Sequence, residues 1–101
     1  MAQFDVHRNP RGGTFPLLLD VQAELLADLA TRIVVPLSPK RSWDAALSRL
    51  NPTAVLRGIE YVLVFQELAA VPRTALGPVV GSLASRRADL VAALDVLFTG
   101  I

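Results

Sequence analysis

Apolar residues recur at every second position through the first two thirds of the chain, then, near residue 83, at every third or fourth. That change of period restricts the fold to a β-rich body followed by one helix. Phe4 and Val6 point one way while Gln3, Asp5 and His7 point the other, which predicts a half-buried strand. The glycines and proline of Asn9-Pro10-Arg11-Gly12-Gly13 predict a turn after it. Leu17, Leu19 and Val21 then line a second strand and close a hairpin. Beyond an Ala/Leu-rich connection from Ala23 to Ala30, Ile33, Val35 and Leu37 predict a third strand. Pro36 has no amide hydrogen, so that strand is expected to end there or lie on an edge.

Thr53 to Leu56 and Tyr61 to Phe65 flank Arg57-Gly58 and predict a second hairpin. Tyr61, Leu63 and Phe65 share a face, yet Val62 and Val64 make the opposite face apolar as well. A strand of that kind is covered on both sides, and a second copy of the chain is one candidate cover. Between the hairpins, Ser38 to Pro52 leaves helix and strand open; it holds Trp43 and the short run Ala45-Ala46-Leu47.

In the last third, Ser85 is the expected N-cap and Gly100 the C-terminal glycine of a helix. Leu83, Leu90, Leu94, Leu97 and Phe98 fall on one stripe, while Ala88, Ala92 and Val96 leave the other side small and apolar. Together with Val62 and Val64, those small residues predict a homodimer. No repeat or linker interrupts the pattern, so residues 1–101 read as a single domain.

The composition excludes whole classes of chemistry. There is no cysteine, so disulfide scaffolds, thiolate zinc sites and thiol catalysis are out. His7 is the only imidazole, and no nucleophile motif accompanies it; on an alternating strand beside a turn it reads as a solvated or hydrogen-bonded side chain. The carboxylates are dispersed, and Gly12-Gly13 is too short to cradle a phosphate. No catalytic residue, metal or cofactor is expected, and the reading is of a binding protein rather than an enzyme. Ten basic against nine acidic residues give +1, too balanced for binding nucleic acid by field alone. Arg86-Arg87 reads as helix surface, with Asp89 as the local partner of these cations. Without a leader pattern or a long apolar run, the chain is expected in the cytoplasm, away from the membrane.

One region runs against the helix dipole. Asp95 and the carboxylate of Ile101 both fall at the negative end of the helix, beside the apolar Phe98 and Ile101. Two readings stay open here. Either the end is a contact surface for a cationic, apolar partner, or Phe98 and Ile101 tuck into the core while Arg32 or Arg73 neutralises the charges.

Several blocks stand in a telling order: Gln3-Phe4, Leu19-Asp20-Val21-Gln22, Arg32-Ile33-Val34-Val35-Pro36-Leu37, Ala69-Ala70-Val71-Pro72 and Leu97-Phe98-Thr99-Gly100-Ile101. In order, spacing and C-terminal end the chain resembles the CcdB family of plasmid- and chromosome-encoded toxins. The resemblance implies a mainly β, SH3-like barrel with a C-terminal α-helix, paired as a twofold homodimer. It further implies binding to the DNA gyrase A subunit, trapping of its cleaved-DNA complex, and neutralisation by a CcdA-like antitoxin through a flexible arm. Phe98, Gly100 and Ile101 match the family's gyrase-binding end, and Leu25 and Leu26 stand where the family has two isoleucines. Two positions depart from it: Thr99 replaces a tryptophan that stacks on a gyrase arginine, and Asp95 replaces an asparagine. Other functions therefore compete with gyrase poisoning. One is a family-fold protein acting on a different partner; another is an endoribonuclease, since a related toxin family shares the barrel.

Overall fold

The computed structural model describes residues 2–43 and 50–100. It contains strands β1 (Asp5–Arg8), β2 (Leu17–Asp20), β3 (Thr31–Pro39), β4 (Thr53–Leu56), β5 (Ile59–Leu63), β6 (Ala69–Pro72) and β7 (Val79–Ser82), then helix α1 (Arg87–Thr99). All seven strands belong to one sheet, ordered β4-β5-β3-β2-β1-β7, with β6 pairing β3 off that path. Every pairing is antiparallel. The sheet curls into a half-barrel whose end strands meet. A Cβ placed on Gly81 of β7 would lie 3.0 Å from Leu56 Cδ2 of β4. Across the same seam Arg86 Nη1 donates to the Thr53 carbonyl at 2.9 Å.

The β3 strand organises the sheet and corrects the expectation for Pro36. Rather than ending, β3 continues to Pro39, with Pro36 buried and opposite Leu18 of β2. On its other side the partner changes: β6 pairs Thr31 to Val34, and β5 pairs Leu37 to Pro39. Pro36 stands in the gap between them, where its carbonyl accepts from the Val64 amide at 2.9 Å. The amide and carbonyl of one strand residue point to the same side, so the missing hydrogen faces a place where no ladder bond is due.

The two hairpins form as expected. Arg57 (φ 53°) and Gly58 (φ 81°) make the tight β4–β5 turn in the left-handed region, the geometry that matches the twist of paired strands. Asn9 organises the wider β1–β2 loop: its side-chain amide donates to the Phe15 carbonyl and its Oδ1 accepts from the Arg11 amide. Strands β6 and β7 are additions: Ala69-Ala70-Val71-Pro72 and Val79-Val80-Gly81-Ser82 carry no apolar–polar alternation to read. Only 38–43 and 50–52 of the uncertain stretch are described; they include a 3-10 turn at Lys40–Ser42, and Phe15 and Trp43 pack with ring centres 6.1 Å apart. Ala45-Ala46-Leu47 lies outside the described residues.

The core lies between the concave face and α1. Phe4, Val6, Leu19, Val35, Leu37, Tyr61, Leu63 and Phe65 meet Leu83, Leu90 and Ala93, with Leu94 and Leu97 half-buried at the margin. Phe65 keeps its expected face although β5 ends at Leu63 and Phe65 opens a 3-10 turn. Phe4 precedes β1 at φ 69°, a conformation L-residues avoid. Its amide and carbonyl are both engaged, with the Asp20 carbonyl and the Leu83 amide, so the surrounding bonds hold the strained residue.

Two further expectations are overturned. Val62 and Val64 are fully buried within the single chain, so they offer no surface to a second copy. Ser85 caps nothing: a 3-10 turn at Ala84–Arg86 precedes α1, and the Ser82 hydroxyl accepts from the Ala84 amide instead. Arg86 does pair Asp89, at 3.0 Å.

Candidate partner-binding site at the helix end

The last turn of α1 carries four of the sequence-predicted residues into solvent. Asp95, Phe98 and Thr99 are spaced i, i+3 and i+4, so they share one face, and all are exposed. Phe98 leaves the stripe formed by its neighbours and is 68% exposed, which rules out the reading that tucks it into the core. Leu90 and Ala93 anchor the opposite face, so the helix cannot roll to hide it. Gly100 closes the helix at φ 76° and donates its amide to the Val96 carbonyl at 3.0 Å. That left-handed cap is the conformation glycine adopts without steric cost. The Thr99 hydroxyl donates back to the Asp95 carbonyl at 2.6 Å, which ties it to the helix. No basic residue stands in this turn, so the dipole and Asp95 leave its end electronegative. Ile101 lies outside the described residues.

Leu25 and Leu26 occupy a second exposed element, the 3-10 turn Glu24–Leu26 between β2 and β3. Leu25 is 92% exposed, with Leu26 and Leu29 also exposed beside it. Among the described residues no hydrogen bond or ion pair joins this turn to the end of α1. A buried polar network holds it. Gln22 donates from Nε2 to the Leu26 carbonyl at 2.8 Å, and its Oε1 accepts from the Ile33 amide at 3.1 Å. Asp20 Oδ1 accepts from the Gln22 amide at 3.0 Å. Arg32 Nε donates to Asp20 Oδ2 at 2.9 Å, with Nη2 lying 2.7 Å from the same oxygen. Both side chains are fully buried, and Arg32 is thereby unavailable to the end of α1.

Gln3 ties the first residue of α1 to the chain just after β2. Its Nε2 donates to the Val21 carbonyl at 3.2 Å, and its Oε1 accepts from Arg87 Nη1 at 2.9 Å. The Arg87 guanidinium also sits 5.6 Å from the centre of the Phe4 ring, within cation–π range. Gln3, Asp20, Gln22 and Arg32 thus act as supports that no reading of alternation singles out. The signal for them was a charged or amide residue set directly beside apolar strand residues.

His7 is buried rather than solvated. Its Nδ1–H donates to the Gly77 carbonyl at 2.9 Å, while Nε2 finds no partner among the described residues. A Cβ on Gly77 would stand 2.6 Å from the Arg8 carbonyl oxygen, so glycine is required where this loop closes on β1. His7 is a clamp for that contact. Among the described residues no three His, Asp or Glu converge in a way that would hold a metal ion, and no helix is long and apolar enough to cross a membrane.

The structure therefore offers two exposed apolar elements on rigid supports, one of them electronegative. The sequence model of one family, described as CcdB protein, matches residues 3–100, which is nearly the whole chain and includes both elements and the Gln3–Asp20–Gln22–Arg32 supports. With the curled sheet and closing helix beside that match, the chain belongs to the CcdB family of toxin–antitoxin toxins.

Proposed function

We propose that this protein is a homodimeric toxin that binds the DNA gyrase A subunit through the end of α1 and traps the cleaved-DNA complex, acting as a binding poison rather than an enzyme. The observation that carries the reading is the exposure of Phe98 on a capped, anchored helix turn. An aromatic ring in water is a standing cost of roughly 2 kcal/mol that a partner's pocket would recover. Phe98, Gly100 and Ile101 would enter the gyrase dimer, and Leu25 and Leu26 would contact its flank. A CcdA-like antitoxin would neutralise the toxin. Dimer formation rests on the exposed Ala88 and Ala92 and the half-buried Val96 along α1, now without Val62 and Val64. The cytoplasm, where gyrase works, is the compartment this reading requires.

Expression in a gyrase-wild-type bacterium, beside a strain whose gyrase carries a resistance substitution, tests it. Growth arrest that the resistant gyrase relieves is the expected result. Arrest in both strains would assign another target, and cleaved transcripts would assign a ribonuclease.

A second reading has its own observation. The Thr99 hydroxyl is spent on the Asp95 carbonyl, so position 99 offers a partner neither a flat ring nor a free donor. On this reading the fold serves a partner other than gyrase. Thr99→Trp separates the two: if the gyrase geometry is kept, the indole should tighten binding by ~1–3 kcal/mol, and if it is lost, nothing changes.

A further inference from the structure

We propose that one end of the sheet is a docking surface for duplex DNA, which it holds by the sugar–phosphate backbone without regard to sequence. The proposal goes beyond the gyrase reading and does not depend on it. The net charge of +1 conceals how the fold sorts the charges. Arg8 of β1 lies opposite Leu17 of β2, and Leu17 lies opposite Leu37 of β3. The β1–β2 loop and the chain beyond β3 therefore leave the sheet at the same end. Pro39 pairs Tyr61 and His7 pairs Val79, which brings the β4–β5 turn and the start of β7 to that end too. These connections carry Arg8, Arg11, Lys40, Arg41 and Arg57, every one exposed. Glu60 is the one carboxylate among the described residues there, and Lys40 engages it at 3.6 Å. The opposite end, where β1 starts and β2 passes into β3, holds Asp5, Asp20, Glu24 and Asp28.

The placement of the cations selects the occupant. Among the described residues no hydrogen bond or ion pair engages the side chains of Arg8, Arg11, Arg41 and Arg57; the three ion pairs use Arg32, Lys40 and Arg86. Nor do these groups converge. Arg8 and Arg57 border one hollow of about 240 Å³, Lys40 and Arg41 a second of about 480 Å³, and Arg11 a third of about 580 Å³. A single small anion would engage one of them, whereas a polymer with charges at close intervals engages all. Duplex DNA carries one charge per ~1.7 Å of its axis, and phosphate oxygens suit the guanidinium fork. An extended acidic peptide carries at most one charge per ~3.3 Å, half that density. Single-stranded nucleic acid calls for open aromatic faces on which bases stack. The half-buried rings at this end, Phe15 and Trp43, are packed on each other instead.

Arg57 supplies an independent observation. It occupies the first central position of a two-residue turn at φ 53°, where asparagine, aspartate or glycine fits with less strain. A bulky cation is thus held at the tip of this end against the preference of its backbone. The Leu25–Leu26 turn follows β2 at the acidic end, so DNA on the basic end does not compete with a partner for that turn. On the gyrase reading, the broken duplex of the trapped complex is the DNA within reach.

Fluorescence anisotropy of a labelled, mixed-sequence duplex titrated with the full-length protein tests this. The variants are Arg8→Ala, Arg11→Ala, Arg41→Ala and Arg57→Asn, singly and together, with Arg73→Ala as the control. Arg73 is exposed as well, but it follows β6 at the end where Thr31 starts β3. The wild type should bind at low salt, and log K should fall against log salt with a slope of about −3 to −4, roughly −0.9 for each arginine–phosphate contact. Each of the four changes should weaken binding severalfold and flatten the slope by about one. Arg73→Ala removes the same charge and should do neither. Arg57→Asn should also raise the melting temperature while it weakens binding, which a residue with a structural role alone would not do. No duplex binding by the wild type at low salt would overturn the proposal. An equal effect of Arg73→Ala would overturn it too, because net charge alone would then be acting. Displacement of the duplex by poly-L-glutamate at equal charge concentration would reassign the surface to acidic polypeptides, and tighter binding of a thymidine oligonucleotide would reassign it to single strands; either contradicts the proposal. Gyrase is absent from this titration, so its failure leaves the gyrase reading standing, and failure of that reading leaves the DNA surface in place.

Discussion

The end of α1 and the Leu25–Leu26 turn both hold apolar side chains in water, but by different physics. At α1 the polar support is local, Gly100 closing the last turn with a single bond to Val96, while Leu90 and Ala93 pack one side into the core. At the turn the support is long-range. Gln22 ties Leu26 to β3, Asp20 fixes Gln22, and Arg32 neutralises Asp20 in the interior. The comparison teaches that a short loop without helical cooperativity needs a buried polar anchor to present a side chain, whereas a helix end needs only a cap and a packed face.

Breaking the long-range support should have the largest effect. Asp20→Asn leaves the Arg32 guanidinium buried and unpaired, which should cost ~3–5 kcal/mol in urea denaturation. Asp20→Leu combined with Arg32→Met should cost less than either single change, because no charge is left uncompensated. Gln22→Ala comes next. Leaving the Leu26 carbonyl and the Ile33 amide unsatisfied should cost ~1–3 kcal/mol, and amide exchange should quicken across Glu24–Leu26 while α1 keeps its protection. A uniform quickening would mean that the two regions do not have separate supports.

Changes at the local support should be smaller and confined. Gly100→Ala meets no atom within 4 Å, so its cost comes from the backbone alone, ~1 kcal/mol. Thermal denaturation should register it, with amide exchange faster only in the last turn. Smallest of all, Asp95→Asn removes a negative charge from the negative end of the helix dipole and should stabilise the protein by ~0.3–1 kcal/mol at low salt. The gain should shrink as salt is added.

The contrast also explains what could be read in the sequence. Local rules exposed the local features: the Arg57-Gly58 turn, the Gly100 cap, the Arg86–Asp89 pair and the alternating core of β1, β2 and β5. They failed where distant contacts decide. Pro36 is tolerated in mid-sheet because the partner strand changes beside it, which no spacing within β3 reveals. Phe98 fits the apolar stripe by periodicity, yet Leu97 packs against the core while Phe98 stays exposed. Val62 and Val64 suggested a second copy of the chain, but its own fold covers them. The Asp20–Gln22–Arg32 network joins residues from two strands and a turn, and its members read as ordinary polar interruptions until the fold brings them together.

The central claim is that the two differently supported elements form a surface for gyrase. It is tested most directly by calorimetric titration of the gyrase A subunit with the wild type, Phe98→Ala and Leu25→Ala. Both residues are exposed, so either variant should melt near the wild-type temperature. Each should bind gyrase more weakly, with Phe98→Ala costing ~2 kcal/mol or more, a loss of about thirtyfold, and Leu25→Ala less. Wild-type binding that neither substitution weakens, or no binding by the wild type, would contradict the account.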